Sequence, residues 1–291
     1  MANVSTIQYE NLASESINST QLMGLVGLVN EKLCYDDSNV DGVVVTHGTD
    51  TTAETAFALD TLVNCNKPVI VTASMRPGTA VSPDGPGNLL DAINAAGSES
   101  SKGRGTMIIL NDRIQDAYYA QKNNANNNDA FESSIGQIGM FLNYKPLYYY
   151  APSTPTYKKT FNYDETTKNG DLPKVDIVYA SQDTDENLVI AASATGSKGV
   201  VIAAMGEGSV PSQISDVVKS LVAQNIPVVV SHNPLYGAAP PSESSTPYIR
   251  SGFIHAAQAK LLLQFALANG YNMDQVRDLF EGGFRQALGY N

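Results

Sequence analysis

The chain has 291 residues, 43% of them hydrophobic, with 23 glycines, 14 prolines and a net charge of −11. At about 100–200 residues per domain this is room for two globular domains, and the composition is that of an ordinary globular chain, for which disorder is not the default. The excess of carboxylates argues against nucleic acid or an anionic membrane as partner, and no apolar run approaches the roughly 18 residues that cross a bilayer.

Met1-Ala2-Asn3-Val4-Ser5 has the pattern of neither a signal nor a transit peptide, so nothing in the sequence directs export. Ile7 to Tyr9 reads as a short strand, and Asn11 to Asn18 as a loop rich in capping and turning groups. Leu22, Leu25, Val26, Val29 and Leu33 recur at helical spacing, which predicts an amphipathic helix entered through Asn18 or Ser19. Val43–Thr46 is the first buried strand; it breaks at Gly48 and restarts as a helix from Thr51 to about Val63. Thr51 and Glu54 have the form of a capping box. Thr49 and Asp50 therefore stand at the carboxyl end of a strand, where open α/β sheets bind their ligands.

A second strand, Pro68–Ala73, leads into the loop Met75-Arg76-Pro77-Gly78. Asp84 is the expected N-cap, and Pro86 an early proline, of a helix through Leu89, Ile93 and Ala96. Met107–Leu110 is the next strand. This alternation predicts an α/β fold with a mostly parallel sheet covered by helices. Asn111 to Asn128, with its asparagine tract, reads as a loop, and Met140 to Tyr150 as strands or a hairpin. Residues 152–171 are turn-rich and charged, so they are expected to link a larger N-terminal domain (1–151) to a smaller, flavodoxin- or Rossmann-like C-terminal domain (172–291). That second domain has strands Val175–Ala180, Gly199–Ala203 and Ile226–Val230. Helices fall around Glu186–Ala192 and Gln213–Ala223, and a long one runs from Ala256 to Ala268.

Thr49, Asp50 and Lys122 form a candidate nucleophile unit. A threonine hydroxyl needs a base, a neutral lysine amine can be one, and a carboxylate can hold the lysine in place. The plainer alternatives are a helix-cap pair for the first two and a solvated loop charge for the lysine. Cys34 and Cys65 each follow a helix and precede a strand, which leaves a single bridge and a pair of buried free thiols both open. His47, His232 and His255 have no ligand spacing, so no metal site is expected. Neither a G-x-S-x-G elbow nor a phosphate-binding glycine loop is present. Asn3 and Asn18 open glycosylation sequons, which matter in a secreted protein alone.

Thr46-His47-Gly48-Thr49-Asp50-Thr51 resembles a signature of the bacterial-type L-asparaginases, fungal members included. The likeness continues through Asn11-Leu12-Ala13-Ser14-Glu15, Ser74-Met75-Arg76-Pro77, Asp84-Gly85-Pro86-Gly87-Asn88-Leu89, Asn111-Asp112, Leu172-Pro173-Lys174-Val175 and Ser251-Gly252, in order over the whole chain. The resemblance implies an amidohydrolase that converts L-asparagine to L-aspartate and ammonia through a threonine acyl-enzyme, without metal or organic cofactor; L-glutamine is a further candidate substrate. Thr49, Asp50 and Lys122 would be its triad, Ser14 and Glu15 would hold the substrate's α-carboxylate and α-ammonium, and the Ser74 carbonyl would face the leaving nitrogen. Cys34 and Cys65 coincide with the disulfide of type II members, which implies an extracellular, cell-wall or periplasmic location. Ser209, with Glu243 as the carboxylate beside it, would complete a neighbouring subunit's site in a homotetramer of two intimate dimers.

The family's Thr-Gly-Gly-Thr-Ile-Ala-like turn, with the usual attacking threonine, and the tyrosine lid after it have no counterpart here. The expectation is a truncated chain, or a descendant that lost the reaction, with weak or absent turnover. The alternative is a non-catalytic remnant that binds aspartate or asparagine, or only oligomerises. A flavodoxin-like or periplasmic amino-acid-binding protein is a third reading, by analogy of fold.

Overall fold

The computed structural model describes residues 2–244 and 246–290. Met1, Ser245 in the Pro240–Pro247 loop, and Asn291 lie outside the described residues. The chain divides into two compact units, the first running to Tyr163 and the second starting at Asp164.

In the first unit, a 3-10 turn over Ser14–Ser16 precedes helix α1 (Ser19–Cys34). The Asn18 side chain accepts from Gln21 N, and the Gln21 side chain accepts from Asn18 N, both at 3.0 Å. This reciprocal cap fixes where α1 starts. Strand β1 (Val43–Thr46), helix α2 (Thr52–Leu62), β2 (Val69–Thr72), α3 (Gly85–Ala96) and β3 (Thr106–Leu110) follow as the sequence predicts. Then come β4 (Arg113–Asp116), β5 (Ala120–Lys122), β6 (Phe131–Ser133), β7 (Gly139–Leu142) and β8 (Lys145–Tyr148).

Among the described residues the main sheet has six strands in the order β1-β2-β3-β4-β7-β8, with β5 and β6 paired separately. The first three are parallel and the rest antiparallel. Ile70, Met107 and Ile109 pack against Ala92 and Ala95 of α3. Alternation turns Val69, Val71 and Ile108 to the opposite face, and α2 packs on β2 and β3. Phe57 and Leu59 of α2 are fully buried, and burial of each contributes about 1.5–3 kcal/mol.

Four expectations need correction. Ile7–Tyr9 is not a strand: residues 2–13 form no regular element and are exposed, because alternation makes a strand only where a neighbour accepts its hydrogen bonds. Val43–Val45 are half-buried rather than buried, because β1 is at the sheet's edge with β2 as its neighbour. Asn111–Lys122 is not a loop: a tight turn at Asn111 and Asp112, both at positive φ, leads into β4 and then β5. Finally, Thr51 and Asp84 stand at their helix starts without capping them; their side chains bond elsewhere.

The second unit begins with helix α4 (Tyr163–Thr167, its first residue closing the first unit), then β9 (Val175–Tyr179), α5 (Asn187–Ala194), β10 (Gly199–Ala204), α6 (Ser212–Ala223), β11 (Val228–His232), β12 (Ile249–Arg250) and α7 (Ala256–Ala268). Its sheet is parallel throughout, in the order β12-β11-β10-β9. Val178, Val200, Ile202 and Val230 pack against Val189 of α5 and Ile214 and Val218 of α6. On the other face a Cβ at Gly199 would come within 2.7 Å of Leu263, so glycine is what admits α7 to that distance. The chain ends in α8 (Met273–Arg277), which passes through a π turn (Asp278–Gly282) into α9 (Gly283–Leu288). Among the described residues no helix is long and apolar enough to cross a membrane.

Candidate active site

Strand β1 runs in register with β2 from Val43↔Val69 to Thr46↔Thr72, and His47 N–H still bonds to Thr72 O at 2.9 Å. The backbone then turns at Gly48. A Cβ there would stand 2.8 Å from Ser14 Oγ and 2.9 Å from Ser14 Cβ, so glycine lets the Ser14–Ser16 turn close on this loop. Thr51 Oγ1 donates to Ser14 O at 2.9 Å, which is why it is not available as a cap. Ser14 is buried, and Glu15 beside it is exposed.

His47 braces the turn from beneath. Its Nδ1 lies 2.8 Å from Gly48 O and its Nε2 3.0 Å from Thr55 Oγ1. Burial lowers its pKa, so the neutral ring can donate from Nδ1 while accepting the Thr55 hydroxyl at Nε2. Thr52 Oγ1 also donates to Gly48 O, at 2.8 Å. Thr49 and Asp50 are thus held on a bonded loop at the N-terminal end of α2.

Lys122 reaches them from β5. Its Nζ donates to Thr49 Oγ1 at 3.0 Å and to Asp50 Oδ1 at 2.5 Å. The lysine side chain is 19% exposed and that of Asp50 61%, so the amine is drawn in while the carboxylate remains open to a ligand. Such an arrangement can pass a proton between a hydroxyl and an amine beside an anionic recognition group.

Ser74 follows β2 at the same end of the sheet. Its Oγ donates to Arg76 O (2.5 Å) and Asp84 Oδ1 (3.2 Å). The Asp84 carboxylate also accepts from Met75 N (2.9 Å), Arg76 N (2.8 Å) and Asn88 Nδ2 (3.0 Å). Burial raises its pKa, but the N–H groups of Met75 and Arg76, Asp84's own N–H and the Ser74 hydroxyl outweigh that and hold it below the ordinary value. The loop that carries Ser74 is therefore wound around a carboxylate, which explains the missing cap on α3.

The other predicted residues fall elsewhere. Ser209 and Glu243 belong to the second unit, both exposed. Ser209 N–H bonds to Met205 O at 2.8 Å, and Arg285 donates to Ser242 O (3.0 Å) and Glu243 O (3.4 Å). Cys34 and Cys65 form a disulfide, with Cα atoms 5.6 Å apart. Among the described residues no three His, Cys, Asp or Glu side chains converge as metal ligands. His232 and His255 do meet, with ring centroids 4.5 Å apart and planes tilted by 56°.

Sequence reasoning missed a buried polar network at the opposite end of the sheet and of α2 from this loop. Asp60 of α2 accepts from Lys158 Nζ (2.8 Å) and Thr106 N (2.7 Å). With Arg104, Thr106, Asp116 and Tyr150, this pair lines a cavity of about 70 Å³. Burial pushes Asp116 up to about 6, against the Ser133 hydroxyl and Tyr119 N–H that it accepts. A signal existed: Asp60 interrupts the apolar run Ala56-Phe57-Ala58-Leu59, and a charge on a buried helix face requires a partner.

The family profile described as "Asparaginase, N-terminal" matches residues 1–154, and that described as "Glutaminase/Asparaginase C-terminal domain" matches 174–280. L-asparaginase 2-3 of Saccharomyces cerevisiae is 41% identical over 284 residues, which is 97% of this chain and 78% of that protein. L-asparaginase 2 of Bacillus subtilis is 37% identical, over 96% of this chain and 74% of its own length. Among solved structures, a probable cytoplasmic L-asparaginase from Campylobacter jejuni superposes with a TM-score of 0.87 at 32% identity, covering 96% of this chain and 88% of that one. That description overturns the expected extracellular, cell-wall or periplasmic location: likeness to this family does not fix the compartment.

Proposed function

Since the chain belongs to the asparaginase family and is an asparaginase-type amidohydrolase, we propose that it hydrolyses L-asparagine to L-aspartate and ammonia with Thr49 as nucleophile. Lys122 is the base, and Asp50 both holds the lysine and meets the substrate's ammonium. The observation that carries this reading is the double contact of the Lys122 amine with Thr49 Oγ1 and Asp50 Oδ1.

Thr49 Oγ attacks the side-chain carbonyl carbon as its proton passes to a neutral Lys122 amine. The lysine returns that proton to the departing nitrogen, ammonia leaves, and water then cleaves the threonine ester to release aspartate. Main-chain N–H groups of the Gly48–Thr49 turn stabilise the oxyanion. Glu15 and Asp50 recognise the α-ammonium and Ser14 the α-carboxylate, and the Ser74 carbonyl faces the leaving nitrogen. Ser209 and Glu243 of a neighbouring subunit complete the site in a homotetramer, which light scattering checks.

The test is ammonia release from L-asparagine by the wild-type chain and by Thr49→Val. Release by the first and not the second is expected; equal rates would remove Thr49 from the mechanism. A second reading, aspartate binding without turnover, draws on the Asp50 carboxylate, which stays 61% exposed while paired with Lys122. Calorimetric titration with aspartate that loses its signal in Asp50→Ala, with no ammonia from either protein, would favour it.

A further inference from the structure

Lys122 lies on a strand that is not part of the main sheet. Strand β5 pairs with β6, Lys122 opposite Phe131 and Ala120 opposite Ser133, and the two form a separate ribbon. A two-stranded ribbon is marginal on its own, so the place of the lysine depends on what fastens the ribbon to the rest of the unit.

Two side chains of β4 do so. Gln115 Nε2 donates to Phe131 O at 3.3 Å, across from Lys122. Asp116 does more. One carboxylate oxygen accepts Tyr119 N–H at 2.8 Å, closing the turn from β4 into β5. The other accepts the Ser133 hydroxyl at the end of β6. Asp116 thus grips the turn that enters β5 and the last residue of β6 from a strand of the main sheet. It is 8% exposed and Ser133 fully buried, so water does not compete for either bond. The turn also packs on α2, with Tyr118 and Phe57 rings 4.9 Å apart.

We propose that Asp116 is the positioning residue for Lys122: its carboxylate clamps the β5–β6 ribbon through Ser133 and Tyr119 and so sets where the amine stands against Thr49 and Asp50. The claim about turnover rests on Lys122 as the base; the claim about placement does not. Misplacing a reacting group by about 1 Å costs up to about a hundredfold in rate, so loosening the clamp lowers kcat with little effect on KM.

The test compares Asp116→Asn, Ser133→Ala and Ser133→Thr with the wild type, measuring kcat and KM for asparagine and the rate at which acetic anhydride labels Lys122, read by mass spectrometry against exposed Lys219 as internal reference. The first two variants are expected to label Lys122 several-fold faster and to lose about tenfold in kcat at near-constant KM, while Ser133→Thr keeps the hydroxyl and behaves as wild type. If Asp116→Asn does not fold, Ser133→Ala, which loses one hydroxyl, decides. Wild-type labelling of Lys122 in folded Ser133→Ala, or faster labelling with unchanged kcat, overturns the proposal. If the wild type releases no ammonia, the functional reading fails, and the labelling rates still decide whether Asp116 places the lysine.

Discussion

Replacing Asp91 with asparagine should stabilise the protein at pH 8 and leave it nearly unchanged at pH 4. Asp91 lies on α3 at 2% exposure, facing Asp112 in the β3–β4 turn, and its Oδ1 has no hydrogen-bond partner. Burial, then the Asp112 charge and the bond to it, push its pKa from 3.8 to about 7. The folded state therefore keeps a proton that the unfolded chain has released over that interval, so stability falls as pH rises from about 4 to about 7 and levels off above. A rise of this size corresponds to about 4 kcal/mol in full. Because Asp112 is exposed and water screens part of the repulsion, about 2–4 kcal/mol is the expected gain. The introduced side-chain amide would donate to Asp112 at every pH and carry no charge. Urea denaturation of both proteins at pH 4 and pH 8 measures the difference. An advantage of equal size at both pH values, or none at pH 8, would refute the shared proton.

Further outcomes follow from the same contacts. Lys158→Met leaves the Asp60 carboxylate buried without its cation, and chemical denaturation should show a loss of about 3–5 kcal/mol. Reducing Cys34–Cys65, which are 31 residues apart, should cost up to about 4 kcal/mol by loop-closure entropy, read as a lower denaturation midpoint with reductant. His255 is pushed down to about 4 by burial, then by the charge of His232; the neutral ring's contribution, complete above the ordinary 6.5, is lost as pH falls from there towards 4. His255→Asn should flatten that acid limb of thermal stability, and an unchanged limb would assign it to other groups.

What could be read from the sequence was local. Val69–Thr72 and Val228–Val230 are apolar runs whose burial follows from composition, and Leu22, Val26, Val29 and Leu33 fix α1 by spacing. Ile7–Tyr9 has strand chemistry but no strand partner, and Thr51 and Asp84 have cap chemistry but are drawn to Ser14 O and to the Met75 and Arg76 N–H groups. These outcomes depend on tertiary neighbours outside the local pattern, 37 residues away for Thr51 and nine and eight for Asp84. The same holds for the site. Thr49 and Asp50 were visible at a strand end, but Lys122 lies 73 and 72 residues away, and neither periodicity nor spacing brings it there. Strands β4 to β6 were hidden because polar side chains rather than apolar runs fasten them.

A double-mutant cycle on kcat tests most directly whether Thr49 and Lys122 act as one unit. Ammonia release from saturating asparagine would be measured for wild type, Thr49→Val, Lys122→Met and the double variant. Each single change is expected to cost about 10²–10⁴-fold, and the double variant no more than the worse single one. Losses that multiply would show that the two groups act independently and contradict the mechanism.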